Sequence, residues 1–113
     1  TCGDDNQFLE ISIRDRKVLR SGKIWTKEMN NDKPYETKKI RSTASTLCDF
    51  PAHQQGRCIT YSSKHNHVAV SNNQGDIAIF DYNDFSKRLT TLWAPREWCE
   101  TMSYSPDGKY FAA

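Results

Sequence analysis

Two stretches of this sequence repeat one pattern: residues 61–70 read "YSSKHNHVAV" and residues 104–113 read "YSPDGKYFAA". They stand 43 positions apart, so that Tyr61 falls on Tyr104 and Val68 falls on Phe111. In both stretches polar turn residues separate two short apolar runs, which is typical of a β-hairpin. The pattern therefore predicts that one strand–turn–strand unit occurs twice.

A second repeat places residues 1–13 over residues 69–81, at an interval of 68, with Leu9 on Ile77 and Ile11 on Ile79. One four-stranded propeller blade takes roughly 40–45 residues, which fits the interval of 43. The longer interval exceeds 43 by 25 residues, and we assign the excess to the polar, charge-rich stretch from about position 25 to 55. The two intervals predict successive blades with a long insertion between the first two.

Apolar residues alternate with polar ones along residues 9–13, 58–61, 68–70 and 77–80. A period of two places every second side chain on one face of a sheet. The clusters of Asn, Asp, Gly and Pro between these runs have the chemistry of tight turns. Because no window has the period of a long amphipathic helix, the sequence predicts an all-β fold.

The repeats divide the chain into four predicted parts. These are residues 1–23 as the last two strands of a partial blade, 24–56 as a polar insertion, 57–95 as a complete blade, and 96–113 as the first two strands of the next blade. The strands of the complete blade are predicted at 57–62, 68–71, 76–82 and 88–93. The predicted fold is thus a segment of a β-propeller.

Each blade of a propeller covers the apolar faces of its neighbours. We therefore expect the last hairpin to lie against residues 68–71 and 77–80 of the blade before it. For the same reason we expect the rest of a parent propeller to be required for folding. The sequence does not begin with Met, and both of its ends are interpreted as cuts within a longer chain.

Composition limits the classes of partner. Sixteen Lys and Arg against fourteen Asp and Glu leave a net charge of +2, which is too small to predict binding to nucleic acid. No apolar run approaches the roughly 20 residues that span a bilayer, so no membrane partner is expected. The cysteines lack the spacing of metal ligands, and we expect reduced thiols in a cytosolic protein. They are Cys2, Cys48, Cys58 and Cys99.

No group of residues predicts catalysis, a cofactor or a metal ion. Neither a nucleophile with its base nor a pair of carboxylates has a recognisable spacing. The acidic residues 4–5 overlie a turn of the repeat and lack the ligand spacing of a calcium loop. His65, His67 and Cys58 could be drawn as zinc ligands, but the two histidines fall on an ordinary hairpin in the repeat. We therefore expect a protein that is not an enzyme.

The repeated residues resemble those of a WD-repeat blade. The run "MSYSPDGKYFAA" is similar to the first hairpin of such a blade, and "NNQGDIAIFDY" is similar to its third strand, with Phe80 and Asp81 at the Trp-Asp position. The resemblance implies that this Asp and a His near the start of the blade belong to a buried hydrogen-bond network. His53 stands about one residue out of register for that role, and Ser12 and Ile13 replace Trp-Asp in the first blade.

Nearly the whole chain, from "NQFLEISIRDRKVLRSGKI" to "REWCETMSYSPDGKYFAA", resembles the propellers of the echinoderm microtubule-associated protein-like family. The resemblance includes the long insertion between blades. It implies a cytoskeletal scaffold that associates with microtubules, in cilia or flagella among other places. The coiled coil and the hydrophobic signature motif of that family do not occur in these residues, so microtubule contact through them is not implied here.

Two groups of residues are candidates for binding a partner. The basic stretch "KPYETKKIR" could attract acidic tubulin surfaces, although a charge run more often serves as a solvated loop. Aromatic and Arg residues at the entry to a blade could anchor a partner, although large aromatic residues more often pack in cores. The candidates are Lys33, Tyr35, Lys38, Lys39, Arg41, Trp93, Arg96 and Trp98.

The function predicted first is a non-catalytic scaffold bound to tubulin or microtubules and to other axonemal or cytoskeletal proteins. A generic WD-repeat adaptor, such as a ubiquitin-ligase receptor or a trafficking coat, stays as the alternative because a fold alone does not fix a function.

Overall fold

The computed structural model describes residues 1–3, 6–26, 55–73, 75–93 and 99–113. The strands in these ranges are β1 (Gln7–Ser12), β2 (Lys17–Lys23), β3 (Gly56–Ser62), β4 (His67–Asn72), β5 (Ile77–Asp81), β6 (Asp84–Leu92), β7 (Ser103–Tyr104) and β8 (Phe111–Ala112). All described pairings are antiparallel. They form a two-stranded sheet β1-β2, a four-stranded sheet β3-β4-β5-β6 and a two-stranded sheet β7-β8.

The predicted all-β class is confirmed. The described ranges contain no helix, and accordingly none that is long and apolar enough to cross a membrane. The four-stranded sheet runs up and down in chain order, as a propeller blade does, with a two-stranded sheet packed on each side. The limits of the insertion and of the blades as domains stay predictions, since residues 27–54 and 94–98 lie outside the described residues.

The last strand of the four-stranded sheet begins earlier than expected. The prediction started it at residue 88, whereas β6 begins at Asp84, opposite Asp81. Carboxylates hold this tight turn, since the amide of Asn83 donates to Asp81 Oδ1 (2.9 Å) and the amide of Ser86 donates to Asp84 Oδ1 (3.0 Å). Two bulges in the β5–β6 ladder absorb the extra residues, and the buried Phe85 anchors the added length.

The two faces of the four-stranded sheet follow the period-two pattern. One face packs on the β1–β2 hairpin and the other packs on the β7–β8 hairpin. The first face carries Val68, Val70, Ala78 and Phe80. The second face carries Ala69, Ile77, Ile79 and Cys58. Because both faces are covered, the strands β4 and β5 read as nearly continuous apolar runs rather than as a strict alternation.

The first core is centred on Phe8 of β1. Its ring lies 4.9 Å from the ring of Phe80 and 4.8 Å from the ring of Phe85, measured between centroids. Gly22 stands opposite Phe8 in the β1–β2 ladder, where a Cβ atom would overlap the Phe8 ring. Burial of such a phenyl ring contributes about 1.5–3 kcal/mol to stability. The first hairpin and the four-stranded sheet are therefore joined by an aromatic cluster.

The second core joins the last hairpin to the opposite face. Ala69, Ile77 and Met102 are buried together, with Tyr104 and Phe111 packed against them. This contact confirms the prediction that the last hairpin lies against residues 68–71 and 77–80. The two repeated hairpins also touch directly at their turns, through His65 and Gly108.

Candidate interaction surfaces

Most of the residues predicted to bind a partner lie outside the described residues. They are Lys33, Tyr35, Lys38, Lys39, Arg41, Arg96 and Trp98. Their role as partner contacts therefore stays a prediction. His53, Asp4 and Asp5 fall outside the described ranges as well. Trp93, Phe80 and Asp81 are described, and each has a definite place in the fold.

Trp93 follows directly after β6 and is half buried. Its ring meets the ring of Trp25 edge to face, with 5.6 Å between centroids and 77° between planes. Trp25 is itself buried in the first core, against which Trp93 packs. The described contacts of Trp93 are therefore packing contacts, which hold Trp25, just after β2, against the first core. A partner contact through the exposed part of Trp93 stays a prediction.

Phe80 and Asp81 occupy the end of β5 in different ways. Phe80 is 1% exposed and its ring packs at a tilt of 41° against the ring of Phe8, so it is a core residue. The Asp81 side chain is 25% exposed, accepts a hydrogen bond from the Asn83 amide and lies 3.9 Å from the Lys87 ammonium. These contacts close the β5–β6 turn. The role of Asp81 in the hydrogen-bond network that the family resemblance implied stays a prediction, since His53 lies outside the described residues.

A fully buried polar cluster lies instead at the β4–β5 turn. The Ser71 hydroxyl accepts a hydrogen bond from the Cys58 amide (3.0 Å) and donates one to the Cys99 carbonyl (3.1 Å). The Asp76 amide donates to Asn72 Oδ1 (3.1 Å), and the Asn72 amide donates to the Asp76 carbonyl (3.0 Å). Ser71, Asn72 and Asp76 are each 0% exposed. Since buried polar groups must be hydrogen-bonded to be tolerated, this cluster fixes the turn and ties β3, β4 and the segment before β7 together.

The sequence predicted Ser71 and Asp76 at the ends of two strands and Asn72 in the turn between them, but it did not predict a buried cluster. The signal that could have identified them is the position of Ser71 and Asn72, which continue the apolar run of β4 without an intervening exposed residue. A polar residue inside a buried run indicates a satisfied buried network. The cluster is closed to solvent and therefore serves structure rather than binding.

A cationic contact joins the first hairpin to the four-stranded sheet. Arg20 of β2 donates from Nε to Glu10 Oε2 (2.6 Å) and from Nη1 to the Tyr82 carbonyl (2.6 Å). The Tyr82 hydroxyl donates to Glu10 Oε1 (2.7 Å). The guanidinium also lies 4.1 Å above the centre of the Phe85 ring, which is a cation–π geometry. We call Glu10, Arg20 and Tyr82 the inter-sheet clamp.

The clamp shifts the ionisation of its members. The hydrogen bond from Tyr82, followed by the one from Arg20, lowers the pKa of the Glu10 carboxyl. The hydrogen bond from the Tyr82 hydroxyl to Glu10 also raises the pKa of that hydroxyl, because the neutral phenol is the donor. The bonds that Arg20 and Glu10 make to Tyr82 join residues 62 and 72 positions apart in the sequence. No local pattern could have indicated them.

A groove of about 820 Å³ opens between β2 and β6. Phe80 and Phe85 lie along its floor, and Lys23, Lys87 and Arg88 are among its lining residues. Hydroxyl and amide side chains complete the lining, from Gln7, Ser21, Thr26 and Ser86. None of the described lining residues carries a carboxylate. The sequence reasoning did not find this groove.

The described histidines and cysteines make contacts within the fold. His65 Nε2 donates to the Gly108 carbonyl (2.6 Å), which links the turns of the two repeated hairpins. The rings of His65 and His67 are stacked, 5.5 Å apart between centroids. Burial raises the pKa of the Cys2 and Cys99 thiols. Within the described ranges, no three His, Cys, Asp or Glu side chains are close enough together to hold a metal ion.

Comparison with known proteins adds one relative. A ciliary WD repeat-containing protein, ctxp80 of Euplotoides octocarinatus, is 30% identical over 114 aligned residues, which cover 99% of this chain. The chain spans 15% of the length of that relative. No family model matches the sequence, and no solved structure matches it.

The chain is all-β, and its four-stranded antiparallel sheet with a hairpin packed on each face is consistent with a segment of a WD-repeat β-propeller. The similarity to the ciliary relative supports its assignment to the WD-repeat family.

Proposed function

We propose that this chain is part of a non-catalytic propeller scaffold that associates with the microtubules of cilia or flagella, and in particular with axonemal doublets. The observation that carries the proposal is the 30% identity, across nearly the whole chain, with a protein whose name describes it as ciliary and WD repeat-containing. A microtubule is proposed as the partner because the sequence resembles the echinoderm microtubule-associated protein-like propellers. The proposed location is the cytoskeleton of the cytoplasm and the cilium.

The described contacts support a scaffold because they hold surfaces in place. Two apolar cores, the buried cluster around Ser71 and the inter-sheet clamp each connect one sheet to the next. Blades fixed in this way present their loops and outer strands in a constant arrangement. A rigid array of loops and edges is what a protein needs in order to hold several partners at once.

Tubulin is the proposed direct partner, with other axonemal or cytoskeletal proteins beside it. The basic stretch of residues 33–41 would be attracted to acidic tubulin surfaces, and this attraction weakens as salt is added. Arg96, Trp98 and the exposed part of Trp93 are proposed as anchors at the entry to the following blade. Neither nucleic acid nor a membrane is a proposed partner.

Co-sedimentation of the full-length protein with taxol-stabilised microtubules tests the proposal. The test variant reverses four charges, at Lys33, Lys38, Lys39 and Arg41, by substitution with Glu. The matched control reverses four described and exposed charges elsewhere, at Arg14, Arg16, Lys17 and Lys109. We expect the test variant to lose most of its microtubule binding and the control to keep it.

The two parts of the proposal fail separately. If the unmodified protein does not sediment with microtubules, the microtubule scaffold is wrong. If it does sediment, and both variants bind equally well, the role given to residues 33–41 is wrong. Immunolocalisation away from the cilium, together with a ubiquitin ligase or a trafficking coat among the co-purified proteins, would favour the generic adaptor.

A further inference from the structure

Two cysteines lie on the same side of the four-stranded sheet and pack against the same buried cluster. Cys58 belongs to β3, and Cys99 belongs to the segment before β7. Both side chains are partly buried against the second core, beside Ala69 and Met102. Neither cysteine forms a disulfide. The fold therefore brings together two thiols that stand 41 positions apart in the sequence.

The Ser71 side chain holds the backbones of the two cysteines close together. Its hydroxyl accepts a hydrogen bond from the Cys58 amide (3.0 Å) and donates one to the Cys99 carbonyl (3.1 Å). Two atoms that contact one oxygen at these distances are at most about 6 Å apart. The Cα atoms of a disulfide are usually about 4.4–6.8 Å apart. Ser71 therefore holds the two backbones at a separation comparable with that of a disulfide.

The ionisation of Cys99 supports a short distance between the two thiols. Burial, followed by the charge of Cys58, raises the pKa of the Cys99 thiol. Such an effect of one charge on another weakens with distance. Cys2 packs against the first core instead, on the opposite face of the sheet. Among the described cysteines, Cys99 is therefore the one that shares a face of the sheet with Cys58.

We propose that Cys58 and Cys99 form a reversible disulfide when the protein is exposed to hydrogen peroxide. First, the thiolate of one cysteine attacks a peroxide oxygen, the O–O bond breaks, and a sulfenic acid forms. The hydroxide that leaves takes up the proton that the thiol released and becomes water. Second, the other cysteine loses its proton and attacks the sulfenic sulfur, so that the S–S bond forms and the S–O bond breaks to release a second water. The two thiols lose two electrons and two protons, and peroxide is reduced to two water molecules.

The disulfide joins the complete blade to the hairpin that follows it. Ser71 already links β3 to the segment before β7 by hydrogen bonds, and the S–S bond adds a covalent link at the same place. Because burial favours the protonated Cys99 thiol, which reacts slowly, the pair stays reduced until peroxide accumulates. A cross-link that closes a long loop stabilises a fold chiefly by restricting the unfolded chain. This inference does not depend on microtubule association.

Peptide mapping of the full-length protein tests the inference. The protein is treated with hydrogen peroxide, its remaining thiols are blocked with N-ethylmaleimide, and it is digested with trypsin without reduction. Trypsin cleaves after Lys and Arg, so Cys58 lies in peptide 58–64 and Cys99 lies in peptide 97–109. We expect mass spectrometry to find these two peptides joined, at the sum of their masses less two hydrogen atoms. Dithiothreitol should separate them.

Thermal unfolding after the same treatment measures the effect of the link. The test variant is Cys99→Ser, and the matched control is Cys2→Ser, which removes a thiol on the opposite face of the sheet. Circular dichroism before oxidation establishes that both variants fold. We expect peroxide to raise the unfolding midpoint of the unmodified protein and of the control by at least about 2 °C, and to leave the test variant unchanged.

Each of the two measurements can overturn the inference. If peptide 58–64 is joined to the peptide that contains Cys2, or is not joined to peptide 97–109, Cys58 and Cys99 do not pair. An equal rise of the midpoint in Cys99→Ser would assign the stabilisation to another site. Joined peptides without any rise of the midpoint would confirm the disulfide and overturn its effect on stability.

Discussion

At the scale of single residues, the contact between the first hairpin and the blade depends on the absence of one side chain. Gly22 faces Phe8, and a Cβ atom there would overlap the ring and lie 3.0 Å from the Cβ of Phe85. Phe8 cannot move away, because Phe80 and Phe85 are packed against it. The Phe8 ring therefore covers Gly22 from the neighbouring strand, and glycine is required at position 22.

The substitution Gly22→Ala should destabilise the protein by about 1–3 kcal/mol, because overpacking forces a well-packed core apart. Chemical denaturation of the full-length protein measures the change. Ser21→Ala is the control, since Ser21 is exposed on the same strand and should change stability by less than about 0.5 kcal/mol. Equal stability of the two variants would contradict the packing described around Phe8.

Ser71 is the second position where one side chain has a large effect. Its hydroxyl satisfies both the Cys58 amide and the Cys99 carbonyl. Ser71→Ala leaves these two groups without that partner, and each buried unsatisfied group costs about 1–3 kcal/mol. Hydrogen exchange should therefore accelerate at the amide of Cys58 and in β7 and β8. The control Ser63→Ala, at an exposed position outside β7 and β8, should leave exchange unchanged. Unchanged exchange in Ser71→Ala would mean that the two bonds are unimportant.

At the scale of elements, the inter-sheet clamp makes the contact between the first hairpin and the blade sensitive to acid. The pKa of Glu10 is lowered in the folded protein by the bonds from Tyr82 and Arg20. Its contribution to stability is therefore present above the unfolded-state pKa of about 4.3 and is lost as the pH falls through the lower folded-state value. Glu10 is partly exposed, which reduces the size of the effect.

Thermal unfolding midpoints measured between pH 3 and pH 6 test the clamp. The unmodified protein should lose stability toward pH 3 more steeply than Glu10→Gln, because the variant has no carboxyl to titrate at that position. The control Glu100→Gln removes an exposed carboxyl that makes no hydrogen bond or ion pair with another described residue, and should keep the unmodified slope. Identical slopes for all three proteins would mean that the clamp does not contribute.

Some features of the strands and of their contacts could be predicted from the sequence, and others could not. Strand positions and the docking of the last hairpin followed from the period of two and from the repeat interval, which are local or nearly local signals. The early start of β6 was missed because residues 84–87 have turn-like composition, while one buried side chain, Phe85, decides that they form a strand. The clamp and the groove arise between β2 and the β5–β6 hairpin, which are far apart in the sequence and meet only in the folded chain.

The two aspartates at the ends of β5 differ in burial. The family resemblance placed Asp81 at the aspartate position of the motif, and that role stays a prediction. Asp76 is covered and Asp81 is partly exposed, because the β4–β5 turn lies inside the packed end of the sheet. Coverage depends on neighbouring segments and cannot be inferred from a motif alone.

At the scale of the whole molecule, the first hairpin has an apolar face that no described residue covers. Ile13 is 93% exposed, and the cross-strand partners Ile11 and Val18 are about half exposed. In a propeller the preceding blade would cover such a face. We therefore expect the isolated 113-residue chain to be unstable and to bind the hydrophobic dye ANS, whereas the full-length protein does not.

Circular dichroism and ANS fluorescence of the two proteins, at equal concentration, check this expectation. The isolated chain should lack a cooperative thermal transition because part of its apolar surface stays in water. A sharp transition in the isolated monomer, at the midpoint of the full-length protein, would contradict the need for neighbouring blades.

The central claim, that this propeller segment belongs to a scaffold on ciliary microtubules, is tested most directly by fractionating cilia from cells that contain the full-length protein. The cilia are extracted with detergent, and the axonemal pellet and the soluble fraction are probed with an antibody against residues 57–95. The account predicts that the protein stays with the axonemal pellet after detergent and leaves it only when the microtubule doublets are dissolved. Recovery of the protein in the detergent-soluble fraction, or its absence from cilia, would contradict the account.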